Sequence, residues 1–125
     1  MLGDSDAIAT IAVRNLETAR KFYLGMLGLQ PGRGSEPGVL TCRSGTSNVL
    51  VYESQYAGTN KATAATWAVP DVDAVARELR AKGVAFEHYD LPSTTRSGDV
   101  HVSGRTRVAW FKDPDGNILS IVTGE

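Results

Sequence analysis

An internal repeat is the sequence feature that most constrains the fold. A shift of 56 positions places Thr10 on Thr66 and the candidate helix cap Asn15 on Asp71. Each copy begins with a short apolar, β-branched stretch and continues, behind the cap, with a segment of helical periodicity. Because residue type, strand end and helix start recur together, we interpret the two halves as copies of one βαβββ unit.

The repeat predicts an α+β fold within a single domain, residues 1–125, with modules at about 7–54 and 62–122. A sheet that is covered on one face by its helix keeps its other face open. Two such sheets side by side are expected to form a U-shaped half-barrel around a central cleft, a shape that suits small-molecule binding.

The segment AWFKDPDGNILSIV predicts a β-hairpin near the C-terminus. Pro, Asp and Gly at 114–116 form a three-residue loop, since proline presets the first backbone angle and glycine tolerates the left-handed conformation that closes the loop. This loop places Trp110 opposite Ser120 and Phe111 opposite Leu119, so Trp110 and Ser120 share one sheet face. A small hydroxyl beside a large aromatic is typical of the wall of a binding cavity, although a half-exposed sheet face has the same composition.

Composition excludes several classes of partner and site. The 125 residues carry a formal net charge of −1, so no basic field favours nucleic acid or an anionic membrane. The single Cys42 excludes an internal disulfide, and two histidines with one cysteine do not supply a thiolate zinc site. The N-terminus lacks the features of a signal peptide, and no apolar run reaches the roughly 18 residues of a membrane span. We therefore expect a soluble, cytoplasmic protein without nucleic-acid or membrane partners.

Three motifs in order carry a family resemblance: the first strand, the helix VRNLETARKFYxxxLGL and the hairpin FKDPDGNxL. They resemble the vicinal oxygen chelate superfamily, which contains glyoxalases, bleomycin-resistance proteins and extradiol dioxygenases, from about Ala7 to Val122. The resemblance implies paired βαβββ modules around a cavity and often a homodimer. It also implies one divalent metal ion, held by His, Gln or Glu side chains from the cavity faces of the first and fourth strands of each module.

The positions that the resemblance assigns to metal ligands carry no competent ligand. They fall on Ile8, Val49, Ala64 and Ser120. Ile, Val and Ala have no donor atom, and a neutral serine hydroxyl alone is a weak ligand for a divalent ion. Ile8 and Ala64 also lie 56 positions apart, so the repeat supports this pair independently. We therefore expect a cleft that holds a ligand without a metal ion or other cofactor.

Side-chain alternation extends the predicted cleft to further residues. Trp110 faces the cleft by the hairpin register and offers an aromatic wall for flat organic ligands. Trp67 and Tyr52 have the opposite parity and are expected to pack away from the cleft. The predicted ligand-contacting residues are Ile8, Thr10, Val49, Val51, Ala64, Thr66, Trp110 and Ser120.

The remaining polar groups leave alternatives open. His88 and His101, with acidic residues nearby, are able to form a substitute metal or acid–base centre, whereas the simpler interpretation makes them surface or hydrogen-bonded histidines. The Ser-, Thr- and Gly-rich stretch 91–105 is long for a connection and fits a lid, an arm to a second subunit or a mobile loop. The glycines of 32–38 indicate a turn and not a phosphate site.

The sequence favours a metal-free small-molecule-binding protein of the glyoxalase/bleomycin-resistance type that sequesters an apolar or aromatic compound, in a chain that forms a homodimer. The alternative is an enzyme, a lyase, isomerase or dioxygenase with a non-standard active site. A third interpretation is a scaffold whose cleft is filled by its own side chains. The identity of the ligand, and whether the cleft lies within one chain or between two, stay open at this stage.

Overall fold

The structure, a computed structural model, describes residues 1–34 and 36–124 as two mixed sheets with few helices. The first module contains β1 (Ala9–Val13), α1 (Leu16–Arg20), a π-helical turn (Lys21–Met26), β2 (Gln30–Pro31), β3 (Val39–Ser44) and β4 (Ser47–Glu53). The second contains β5 (Thr63–Val69), α2 (Val72–Ala81), β6 (Phe86–Glu87), β7 (Thr95–Ser97), β8 (Val100–Ser103), β9 (Thr106–Lys112) and β10 (Ile118–Thr123). The α+β class with paired modules is confirmed. Ser35, within the predicted turn at 32–38, and Glu125 lie outside the described residues.

The two sheets share one central arrangement. The first has the order β1-β4-β3-β2, and the second has β5-β10-β9 followed by β8 and β7, with β6 also paired to β9. In both sheets the first strand of the module runs parallel to the last, and the other pairs are antiparallel. No helix among the described residues is long and apolar enough to cross a membrane.

The stretch 91–105 is largely a hairpin, β7–β8, added at the edge of the second sheet. Gly98, at a φ of 63°, supplies the left-handed residue of its turn. Of the three interpretations of this stretch from the sequence, none included a paired hairpin, because both strands are short and β7 is polar.

Both helices begin at the predicted caps. Asn15 Oδ1 accepts a hydrogen bond from the Thr18 N–H at 3.0 Å, and Asp71 Oδ1 accepts one from the Ala74 N–H at 3.0 Å. Each cap satisfies an N–H group that has no partner within its helix.

The first helix has α geometry over a shorter length than its periodicity predicts. After Arg20 it widens into the π turn, where the Leu27 N–H donates to the Phe22 carbonyl, five residues back, at 2.9 Å. Phe22 and Tyr23 are both buried, on the face of this segment that packs into the core.

A buried polar cluster joins the two modules at the turn between β9 and β10. The Tyr23 hydroxyl donates to Asp113 Oδ2 at 2.7 Å, and Asn117 Nδ2 donates to the same oxygen at 2.8 Å. Asn117 Nδ2 also donates to the Ala12 carbonyl at 2.7 Å. Burial and the neighbouring Asp113 carboxylate raise the pKa of Tyr23 well above its usual value, so the phenol stays a neutral donor.

Candidate functional site

The open face of the second sheet is the face away from its helix, and the hairpin register places its residues. Trp110 lies opposite Ser120 and Phe111 opposite Leu119, as the loop predicts. On its other side Ser120 pairs with Thr66, and their hydroxyl oxygens are 2.8 Å apart. A serine is tolerated within β10 because this cross-strand hydroxyl partner satisfies it in a buried position.

Trp110 is the centre of an aromatic cluster, formed with Tyr89 and His101, on this open face. Its ring meets His101 edge to face with centroids 4.9 Å apart, and it meets Tyr89 in the same way at 5.3 Å. The Trp110 Nε1–H donates to Thr63 Oγ1 at 3.2 Å. These contacts orient the indole, and its exposed part offers a flat apolar surface.

A pocket of about 330 Å³ opens beside Trp110. Its size lies in the range of small-molecule sites. Trp110 stays half-buried here, whereas the scaffold interpretation expects it to be packed shut. Of the predicted ligand-contacting residues, Trp110 alone lines this pocket. The lining residues are Lys61, Ala62, Thr63, Tyr89, Leu91, Trp110 and Ile118.

A register shift in β5 decides which residues reach the pocket. Thr63 pairs with Ile118 and Ala65 pairs with Leu119, which leaves Ala64 between them without a partner. Ala64 is half-buried and packs against the hydrophobic core. Alternation counted back from Thr66 does not extend across such a shift, so Thr63 lines the pocket and Ala64 does not.

The predicted placement of Val49 and Val51 in the cleft is wrong. β1 and β4 are parallel and pair Ala9 with Val49 and Ile11 with Val51, and paired residues share a face. Val49 and Val51 are 3% and 0% exposed, in the core with Ile11. The loops between these strands left the parity of β4 undetermined in the sequence.

Leu50 and Tyr52 take the open face of the first sheet instead. Thr10 pairs with Leu50, and Tyr52 is half-buried on that face, although the sequence placed it on the packed side. Thr10 and Thr66 are equivalent in the repeat, and Thr66 pairs with Ser120. Leu50 therefore corresponds to Ser120 and replaces Val49 as a place where the family resemblance implies a metal ligand.

Ile8 and Thr10 lie apart from the pocket beside Trp110. Ile8 is 52% exposed immediately before β1, and Thr10 is exposed within it. The Thr10 hydroxyl donates to the Ile8 carbonyl at 3.1 Å. Contact of these two residues with a ligand stays a prediction.

The residues at the implied ligand places do not fit a divalent metal ion. Ile8, Leu50 and Ala64 have no donor atom, and the Ser120 hydroxyl is engaged by Thr66. Within residues 1–34 and 36–124, no three or more His, Cys, Asp or Glu side chains are grouped so as to hold a metal ion.

His88 belongs to a hydrogen-bonded network with Asp99 and Arg80 at the surface. Its Nε2 lies 2.8 Å from Asp99 Oδ1, and Arg80 Nη1 lies 2.7 Å from Asp99 Oδ2. His101 takes no part in these pairs, so the two histidines do not form the substitute site that their sequence spacing allows.

His101 is fully buried in the aromatic cluster. The simpler interpretation of the sequence allowed a surface or a hydrogen-bonded histidine, and His101 is the second of these. It pairs with Val108 across β8 and β9, on the face opposite to the buried Val100. Its Nε2 accepts a hydrogen bond from the Tyr89 N–H at 2.9 Å. Its Nδ1 is buried without a hydrogen-bond partner among the described residues. Alternation in VHVS was the available signal, but only the pairing of β8 shows which face it selects.

A second pocket, of about 350 Å³, lies on the helix side between the modules. Trp67 lines it, with its Nε1–H donating to Ser44 Oγ at 2.8 Å. Trp67 pairs with the core residue Ile121, whereas Trp110 pairs with Ser120. The two tryptophans thus lie on opposite faces of the second sheet, as alternation predicts.

Solved structures share this fold over nearly the whole chain. Lactoylglutathione lyase from Agrobacterium tumefaciens is 16% identical with a TM-score of 0.70, over 96% of this chain and 93% of that chain. TnmS3, an antibiotic binding protein from Streptomyces sp. CB03234, is 19% identical with a TM-score of 0.65, over 96% and 97%. A member of the glyoxalase/bleomycin resistance protein/dioxygenase superfamily from Sphaerobacter thermophilus DSM 20745 is 23% identical with a TM-score of 0.64, over 93% and 94%. At these identities the likeness shows the fold alone.

Sequence comparison identifies the family. No curated protein sequence matches the chain. The family model for the Glyoxalase/Bleomycin resistance protein/Dioxygenase superfamily matches residues 6–121. The motifs of the first helix and the closing hairpin, the paired βαβββ modules and this match agree, and the chain belongs to the Glyoxalase/Bleomycin resistance protein/Dioxygenase superfamily.

Proposed function

We propose that the protein binds a small, flat, apolar or aromatic compound in the pocket beside Trp110, without a metal ion, and sequesters it. One observation carries the proposal. The places of the family's metal ligands hold Ile8, Leu50, Ala64 and Ser120, while an oriented indole faces an open pocket of about 330 Å³.

The chemistry of the pocket supports binding over the metal-dependent reactions of the family. Polarising two neighbouring substrate oxygens with a metal requires several anionic or imidazole ligands at once. The described residues contain no cluster of three or more His, Cys, Asp or Glu side chains that could supply them. Sequestration needs only surface complementarity and burial of apolar area. TnmS3, which shares the fold, is an antibiotic binding protein, and this supports a binding function on such a scaffold.

We further propose that residues 1–125 form a single domain and that the protein acts as a homodimer. Ile8, Tyr56 and Leu91 are 52%, 69% and 41% exposed, and Leu91 also lines the pocket. A second copy that covers these side chains would remove apolar area from water, and at Leu91 it would complete the pocket wall. Light scattering should give twice the 13.3 kDa chain mass. A monomer at about 100 μM protein would contradict the dimer but would leave the binding proposal unaffected.

The metal content of the purified protein tests the proposal first. After incubation with Mn²⁺, Fe²⁺, Ni²⁺ and Zn²⁺ and thorough desalting, we expect far less than one ion per chain. One tightly held ion per chain would contradict the proposal and favour a lyase, isomerase or dioxygenase with a displaced ligand set.

Fluorescence titration with fluorene, a flat apolar probe, then tests the pocket. In Trp67→Phe the remaining tryptophan is Trp110, and we expect a saturable change in its emission. In the matched control Trp110→Phe, the remaining Trp67 lies on the opposite face and should respond weakly or not at all. The reverse pattern would move the site to the helix-side pocket.

A further inference from the structure

His101 is a buried side chain with half of its hydrogen-bonding capacity unused. Because Nε2 accepts the Tyr89 N–H at 2.9 Å, Nε2 carries no proton, and the neutral imidazole has its N–H at Nδ1. That donor is buried with no partner among the described residues. Buried donors are nearly always paired, so an unpaired one calls for an acceptor.

The imidazole packs against two aromatic side chains that line the pocket. Its ring centroid is 4.9 Å from that of Trp110 and 6.1 Å from that of Tyr89, and both of these residues line the pocket. The Tyr89 side chain is half-buried, and its hydroxyl makes no hydrogen bond to the described part of the chain. His101 itself does not line the pocket, so a ligand would reach the imidazole only if the Tyr89 ring rotated, and rotamer changes of this kind are fast.

The other polar side chains of the pocket also offer donors. Lys61 contributes an ammonium group, which has no acceptor atom. The Thr63 hydroxyl oxygen already accepts the Trp110 N–H and keeps its own proton to donate. The pocket therefore combines an aromatic wall with several donors, which complements a compound rich in acceptor oxygens.

We propose that His101 Nδ1–H donates to a carbonyl-type oxygen of the bound compound and so selects flat aromatic compounds that carry such an acceptor. This inference rests on the proposed function, because it assigns the substrate class of the same pocket. It adds a specificity-determining residue on β8, outside the strand positions that the family resemblance implies for metal ligands.

A matched pair of probes tests this selection. 9-Fluorenone and fluorene have the same ring system, and only fluorenone carries a carbonyl oxygen. By calorimetry or equilibrium dialysis, the wild-type protein should bind fluorenone about fivefold tighter than fluorene, as expected for one net hydrogen bond of typical strength. In His101→Phe the preference should disappear while fluorene still binds, and His101→Asn, which keeps an N–H near Nδ1, should restore part of it. His88→Phe is the control and should keep the wild-type preference.

Equal wild-type affinities, or a preference that survives in His101→Phe, would overturn the inference and leave the proposed function standing. Failure of both probes to bind the wild-type protein would overturn the two together. If His101→Phe does not fold, NMR of the histidine ring nitrogens in the wild-type protein decides. Fluorenone should shift the Nδ1–H proton downfield and fluorene should not, and an unmoved resonance at saturating fluorenone would overturn the inference.

Discussion

At the scale of single residues, the sheet face on which a side chain lies determines what that side chain contacts. Trp67 and Trp110 lie in the same sheet, yet one binds Ser44 on the helix side and the other stands in the aromatic cluster on the open face. Alternation along β5 for Trp67, combined with the hairpin register for Trp110, was enough to separate them. It was not enough for Val49 and Val51, because their parity depends on the strand with which β4 pairs.

Replacing Trp110 with Ala should weaken fluorene binding by about tenfold or more, through lost stacking and lost buried area, while the protein stays folded. Titration of the purified variant, with circular dichroism to confirm folding, measures the effect. Trp67→Phe is the control, and an unchanged fluorene affinity in Trp110→Ala would remove Trp110 from the site.

Tyr23→Phe should lower the free energy of unfolding at pH 7 by about 1–2 kcal/mol, because the bond to Asp113 is lost in a buried cluster. The pKa of Tyr23 is raised in the folded state, so its contribution is present below the usual tyrosine value of about 10 and is lost as pH rises further. The difference in unfolding free energy between the wild type and Tyr23→Phe should therefore narrow between pH 7 and pH 11.

Urea unfolding at both pH values measures that difference. Tyr56→Phe is the matched control, since Tyr56 is 69% exposed and should show no difference at either pH. If the difference in unfolding free energy between wild type and Tyr23→Phe stays constant or widens as pH rises, the raised pKa of Tyr23 in the folded state is contradicted.

At the scale of elements, the caps and the closing hairpin followed from local chemistry, whereas the π turn and the β7–β8 hairpin did not. A cap or a three-residue loop is defined by neighbours in the chain. The π turn accompanies the contact of Tyr23 with Asp113, a residue of the other module. Both strands of the β7–β8 hairpin are short and β7 is polar, so only the four residues of β8 show any alternation.

Two glycines at turns should differ in their response to alanine. Gly116 and Gly58 both have positive φ, at 88° and 73°, but a Cβ on Gly116 meets nothing within 4 Å, whereas one on Gly58 would collide with the Asp115 carbonyl. Gly116→Ala should cost about 1–2 kcal/mol from backbone conformation alone, and Gly58→Ala should cost about 1–3 kcal/mol more.

Urea midpoints of the two variants give the comparison. Gly3→Ala, in open space without positive φ, is the control and should be near neutral. If Gly58→Ala and Gly116→Ala lose the same stability, the backbone at Asp115 moves away from the added Cβ without cost.

At the scale of the whole molecule, the modules are held together by contacts that link distant parts of the chain. Asn117 bonds the Ala12 carbonyl, and the Arg14 N–H donates to Asp115 Oδ2 at 3.2 Å. These bonds join the start of the first module to the last turn of the second. We therefore expect the two modules to unfold together.

The rate at which the Cys42 thiol is labelled tests whether the two modules unfold together. Its side chain is fully buried, and burial raises the pKa of its thiol, so a thiol reagent such as DTNB should react only after unfolding. The labelling rate should rise with urea in parallel with the global unfolding curve. Rapid, complete labelling of the folded protein would show that the first module opens by itself.

The sequence by itself determined the repeated βαβββ pattern, both helix caps, the register of the closing hairpin and the apolar character of Ile8 and Ala64. All of these depend on residue type and on neighbours in the chain. Only the tertiary structure decided that Val49 and Val51 face the core, that Thr63 replaces Ala64 beside Trp110, and that His101 is buried with a free donor. Which face a strand presents depends on the partner with which it pairs across a loop, and alternation within one strand carries no information about that partner.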